Sequence, residues 1–201
     1  MAGAGRIEPK RPGRYEWWVN VLETGLPGVL LLEPKVFGDE RGFFLETFQA
    51  ERYAGIGISA PFVQDNWSRS TRGTLRGLHF QDPHAQGKLV QVVRGSVYDV
   101  AVDIRRGSPT FGRWVGHELS EQNKRQLWVP AGFAHGFVVT SAECDFLYKC
   151  TDYYRPEAER AIAWNDPALA IPWPFTQPIL SARDAAAPFL ADAPILPAWQ
   201  E

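Results

Sequence analysis

The sequence predicts an all-β protein, a jelly-roll β-barrel with a few short helices, mainly in the C-terminal tail. Three observations carry this. Short apolar or alternating runs recur at even spacing and are separated by turn residues. Aromatic side chains are plentiful, with 8 Trp, 12 Phe and 6 Tyr in 201 residues. The 18 Gly and 16 Pro supply the tight turns that many short strands need.

The elements follow in order. Residues 1–20 place Arg6, Lys10, Arg11 and Arg14 among Gly and Pro before Trp17 and Trp18. This stretch reads as an N-terminal extension, either loosely ordered or docked by its tryptophans, ahead of a single domain over 21–201. Strands are expected at Leu30–Phe37, ended by Gly38-Asp39, and at Gly42–Phe48. A short helix follows over Ala50–Gly55. Further strands fall at Phe62–Ser68, Gly73–Gln81 and Lys88–Arg94. Gly95-Ser96 reads as a hairpin turn into Val97–Ile104. The series closes with Gly112–Ser120, Arg125–Pro130, His135–Thr140 and Cys144–Cys150, before a Pro-rich tail from Tyr153.

The period of two sorts the side chains. In Val97–Ile104, Tyr98, Val100, Val102 and Ile104 share one face, and Asp99, Ala101 and Asp103 the other. Phe146, Tyr148 and Cys150 share a face, as do Leu75, His79 and Gln81. Strict alternation puts Arg76 opposite His79. Both reach one pocket only if a bulge or bend lies between them, near Gly77; the alternative is that Arg76 reaches the edge of the pocket from elsewhere.

Composition excludes several classes. With 45% hydrophobic and 22% charged residues the chain is ordinary globular material. Its formal net charge of −2 leaves no basic footprint for nucleic acid. The longest apolar run, Gly28 to Leu32, is strand-sized, so neither a membrane span nor a signal peptide is expected. Cys144 and Cys150 lie six apart in one expected strand. At ~3.3 Å per residue they are out of disulfide reach, which fits reduced thiols in a cytoplasmic protein.

Two segments have the spacing of the small barrels called cupins. One runs from Gly73 through His79 and Gln81 to Lys88 and Gly95, the other from Pro130 to His135. Metal-binding cupins use three histidines and a glutamate there. Here Gln81 stands in the second histidine's slot and Lys88 in the glutamate's. An ammonium has no lone pair and repels a cation, so no metal is expected and the pocket is left for acid–base chemistry.

Long motifs then carry a resemblance. They include VFGDERGFFLE at 36–46, FVQDN at 62–66, LRGLHFQ at 75–81, QGKLV at 86–90 and VAVDIR at 100–105. SPTFG follows at 108–112, WVPAGFAHGF at 128–137 and YKCTDYY at 148–154. In this order, from about Glu33 to Leu190, the sequence resembles the dTDP-4-dehydrorhamnose 3,5-epimerase family. The resemblance implies a cupin jelly roll, a homodimer, no metal or organic cofactor, and a 4-keto-6-deoxyhexose substrate carried on dTDP.

It also implies roles. His79 matches the base, Asp184 the carboxylate that pairs with it, Tyr148 the proton donor and Lys88 the enolate-side cation. The alternative role for Asp184 is to cap a helix before Ala185. Arg41, Glu46, Gln64, Asp65, Asn66, Arg76, His135, Tyr154 and Glu159 match substrate contacts, some of them made to a partner subunit's nucleotide. Arg183 stands where many members have lysine, keeping the charge but changing its geometry. The reaction implied is epimerisation at carbons 3 and 5. A single-carbon epimerase of another deoxysugar, a metal-dependent cupin and a non-catalytic sugar-binding module are the alternatives.

Overall fold

The computed structural model describes residues 18–199. Trp17 and the basic stretch before it lie outside the described residues. Two antiparallel sheets face each other. The six-stranded sheet has the order β1-β2-β10-β7-β12-β5, and the five-stranded sheet the order β13-β6-β11-β8-β9. In chain order the strands are β1 (Val19–Glu23), β2 (Leu30–Pro34), β3 (Val36–Asp39), β4 (Gly42–Leu45) and β5 (Gln64–Thr71). Then come β6 (Leu75–Gln81), β7 (Lys88–Arg94), β8 (Ser96–Asp103) and β9 (Trp114–Ser120). The last are β10 (Gln126–Val129), β11 (Phe133–Val139), β12 (Glu143–Cys150) and β13 (Glu159–Ala161). This is the expected all-β jelly roll.

Several elements differ from the sequence reading. The first expected strand is two. Lys35 separates β2, in the six-stranded sheet, from β3, which pairs only with β4 in a projecting hairpin. β1 lies partly inside the stretch read as an extension and pairs with β2. Trp18, just before it, is docked. Its ring packs at 5.6 Å on Phe37, and the Arg52 guanidinium lies 3.9 Å over it. Gly95-Ser96 is not a hairpin turn, because β7 and β8 belong to different sheets. Gly95 turns the corner between them. Its φ is +79°, and a Cβ there would meet the Glu143 carbonyl oxygen at 2.1 Å.

The expected helix over Ala50–Gly55 is present as α1. The Gln49 side chain caps it by accepting the Arg52 N–H at 2.7 Å. A second helix, α2 (Ala182–Ala185), and a 3-10 turn at Leu190–Asp192 lie in the tail.

The core is layered. Between the sheets pack Leu31, Val90, Val97, Ala101, Leu127 and Phe146. On the outer face of the five-stranded sheet the other side of β8, with Val100, Val102 and Ile104, meets Ile162, Leu169 and Leu190 of the tail. The tail is therefore a structural cover. β8 is thus buried on both faces along most of its length.

The bend near Gly77 exists. In the β6–β11 ladder His79 pairs with His135, but Arg76 pairs with Phe137. One extra residue of β6 therefore fits between these pairs, which is a β-bulge. Only glycine fits: φ is +122°, and a Cβ would lie 2.5 Å from the Gly136 Cα and 2.7 Å from the His135 carbonyl oxygen. Gly77→Ala is expected to cost about 2–4 kcal/mol by urea unfolding. Gly25→Ala, also at positive φ but with nothing within 4 Å, should cost about 1 kcal/mol. Equal losses would contradict the close approach at Gly77.

Candidate active site

The two sheets enclose a cavity of about 380 Å³. Because of the bulge, β6 turns both Arg76 and His79 into it, with Gln81 further along. β11 adds His135. From the opposite sheet β12 sends in Tyr148, β7 sends in Lys88, and β5 sends in Gln64, Asn66 and Ser68 on alternate positions. Tyr154 and Glu159 stand beside them.

His79 Nε2 lies 2.5 Å from Asp184 Oδ1 across 105 residues of sequence. Backbone bonds run the tail beside β6: Leu75 N–H to the Ile179 carbonyl at 3.0 Å and Ile179 N–H to the Gly73 carbonyl at 2.8 Å. Ser181 caps α2 by accepting the Asp184 N–H at 3.1 Å. Asp184 is therefore not the cap. Its carboxylate is free to reach His79 and is 5% exposed. Burial pushes the Asp184 carboxyl up, but the His79 hydrogen bond and charge, with Ser181 and Arg183, outweigh it and hold it below the usual range.

Tyr148 is shifted the other way. Burial, with the nearby Cys150 and Glu159, raises its hydroxyl against the opposing pull of Arg76. The phenol therefore keeps its proton at neutral pH. Burial lowers Lys88, while the charges of Cys150, Glu159 and Asp99 partly restore it. No salt bridge joins Lys88 to any described residue. Its ammonium is available to whatever enters.

A second histidine pair stands next to the first. His135 Nε2 lies 2.9 Å from Asp99 Oδ1, and Asp99 is fully buried. At the rim the Tyr154 hydroxyl donates to Glu159 at 2.6 Å, and Arg183 pairs with the same carboxylate. Arg76 Nε donates to Ser70 at 3.1 Å. Gln64 Oε1 accepts the Tyr154 N–H at 2.8 Å and so ties that aromatic to β5.

Of the residues singled out in the sequence, His79, Lys88, Tyr148, Gln64, Asn66, Arg76, His135, Tyr154 and Glu159 line the cavity. Asp184 and Arg183 stand directly behind wall residues. Three do not face the cavity of their own chain. Arg41 sits on the β3–β4 hairpin, paired with Asp39 at 2.5 Å and exposed. Glu46 is held by Arg52 at 2.6 Å. Asp65 points away because it alternates with Gln64 and Asn66, and it pairs with Lys149 at 3.0 Å.

Sequence reasoning missed Ser68, Gln86, Phe137 and Asp99. The alternation that puts Asn66 inward also marks Ser68, and Asp99 shares the face of Ala101, which packs between the sheets. Gln81 fills its ligand slot differently from a metal site, because its Nε2 donates to the His84 and Tyr153 carbonyls. Among the described residues no three His, Cys, Asp or Glu side chains converge as metal ligands would.

Comparison with known proteins places this architecture. The family model described as dTDP-4-dehydrorhamnose 3,5-epimerase matches residues 23–192. The dTDP-4-dehydrorhamnose 3,5-epimerase of Salmonella typhimurium is 60% identical over 176 residues, covering 86% of this chain and 96% of that one. The Pseudomonas aeruginosa enzyme of the same name is 58% identical over 181 residues, 89% of this chain and 100% of that one. A crystal structure of dTDP-6-deoxy-D-glucose-3,5-epimerase from Legionella pneumophila, in complex with dTDP-4-keto-L-rhamnose, superposes with a TM-score of 0.88 at 58% identity. It covers 91% of this chain and 100% of that chain. The chain belongs to the dTDP-4-dehydrorhamnose 3,5-epimerase family.

Proposed function

We propose that the chain epimerises carbons 3 and 5 of dTDP-4-dehydro-6-deoxy-D-glucose, giving dTDP-4-dehydro-L-rhamnose. One observation carries the reading. His79, backed by Asp184 of α2, projects from one sheet, and Tyr148 and Lys88 project from the other, into a single cavity. Inverting a carbon needs a base on one face of the sugar and an acid on the other, and opposite sheets supply opposite faces.

Protons on the two carbons flanking a ketone are acidic, because the carbanion delocalises onto the ketone oxygen. His79 removes one. With Nε2 committed to Asp184, Nδ1 is the ring nitrogen that takes the proton. The ionised Asp184 favours the imidazolium that forms. Lys88 meets the negative charge growing on the enolate oxygen. Tyr148 returns a proton from the other face. The same groups serve the second carbon after the ring shifts.

The nucleotide binds at the rim. Arg76 and Arg183 are the cations for the diphosphate, Tyr154 stacks on the thymine, and Gln64, Asn66, His135 and Glu159 contact the sugar nucleotide. Arg41, Glu46 and Asp65, which turn away from their own cavity, fit a homodimer in which the hairpin reaches a second copy. Phe37, Phe43 and Phe44 are exposed on that hairpin, as a surface awaiting cover would be. A cytoplasmic location fits the two free, buried cysteines. Among the described residues no helix is long and apolar enough to cross a membrane.

Incubation with the 4-keto sugar nucleotide in heavy water tests the reaction. Deuterium is expected at both carbons 3 and 5 by NMR, and His79→Asn should slow its entry at least ~10²-fold while dTDP still binds. Deuterium at one carbon alone would make this a single-carbon epimerase. No exchange with intact dTDP binding would contradict the assignment. For the assembly, sedimentation should give twice the chain mass. A monomer at working concentration would remove the shared-site reading of Arg41.

A further inference from the structure

Hydrogen-bond donors are unevenly shared between two buried carboxylates of β8. Asp103 accepts five bonds, three from Arg105 and one each from Ser108 and Thr110. Burial pushes its carboxyl up, yet these donors bring it down to about 2. Asp99, four positions earlier on the same face, is equally enclosed, at 0% exposed. Its only donor among the described residues is His135 Nε2, at 2.9 and 3.0 Å from the two oxygens. A carboxylate offers about four lone-pair positions. Burying one with a single donor is costly.

Directly across the ladder from Asp99 is His117 of β9. Opposed residues of an antiparallel pair hold their Cβ atoms ~5 Å apart on the same face. That face points inward: on β9 Val115 and Leu119, two positions either side of His117, pack into the core between the sheets. His117 Nε2 is itself enclosed and makes no hydrogen bond. An acceptor short of donors thus faces a donor short of acceptors.

We propose that His117 is a positioning residue for the proposed epimerase reaction: its Nε2–H is the second donor to Asp99, through one bridging water, and holds that carboxylate in place beside His135. The inference rests on the reading of the cavity given above, in which His135 contacts substrate.

The surrounding charges set the signs. His117 faces Asp99 from β8 and Arg125 from the approach to β10. Burial lowers it, Asp99 raises it and Arg125 lowers it, so the ring is neutral at pH 7 and acts as a neutral donor. Asp99 faces His135 of β11, His117 of β9 and Lys88 of β7. Burial raises it and outweighs the downward pull of those three. Without His117 the carboxylate takes up a proton more readily.

Nitrogen-15 NMR of histidine-labelled full chain, with deuterium-exchange rates, tests this. The His117 signals are identified by their loss in His117→Leu. In His117→Leu the rate of deuterium entry into the sugar should fall, with KM unchanged. His117→Gln, whose amide can still donate, should restore most of it. A rate that stays in place in both variants overturns the proposal, as does an equal fall in both. The unmodified protein gives an independent reading: the His117 ring should be the Nε2–H tautomer, and an Nδ1–H tautomer overturns the proposal even if the leucine variant does not fold. The Nε2–H tautomer in a protein that exchanges no substrate protons would overturn the epimerase reading while leaving the His117–Asp99 contact standing.

Discussion

The cavity depends on one contact, that between Asp184 and His79. A histidine alone in a half-apolar wall is free to choose its tautomer and rotamer. A buried carboxylate at 2.5 Å removes both freedoms. To deliver it, the tail must run back along β6, pair at Thr74 and Ile179, and turn α2 so that Ser181, not Asp184, takes the helix cap. The apolar face of the five-stranded sheet keeps the tail there, through Ile162, Leu169 and Leu190. Packing on the outside of the barrel thus fixes chemistry on the inside.

The two-sheet architecture explains the division of labour. In the proposed reaction, the groups that act from opposite faces of the sugar ring come from opposite sheets, with His79 and His135 on one and Tyr148 and Lys88 on the other. Burial acts on these groups in useful directions. It keeps the Tyr148 proton on and loosens that of Lys88, and the carboxylate behind His79 remains as a local anion. Cations not tied inside the cavity, Lys88 and the outer part of Arg76, suit an anionic ligand.

Much of this was legible in the sequence. Short runs between turn residues gave most of the strands and the short helix α1, and period-two alternation gave the shared face of Phe146, Tyr148 and Cys150. The conflict between Arg76 and His79 even located the bulge, since glycine is the residue that permits one. What alternation cannot show is which sheet a strand joins. Gly95 has the sequence of a tight turn, and only the crossing to another sheet distinguishes a corner from a hairpin. The split at Lys35 is of the same kind. Short strands such as β13 carry too few residues for a period. Asp99 was missed because an acidic residue on an inward face looks like an exception until its partner, 36 residues on, is in place. Arg41, Glu46 and Asp65 came from motif matching, which does not say whose cavity a residue serves.

The central claim is that Asp184 makes His79 the base. Asp184→Asn keeps the shape and removes the charge, and it separates that claim from a packing role. The account predicts that kcat falls by about 10²–10⁴-fold while KM and the urea midpoint change little. A kcat within about threefold of the unmodified protein, with the fold intact, would contradict it.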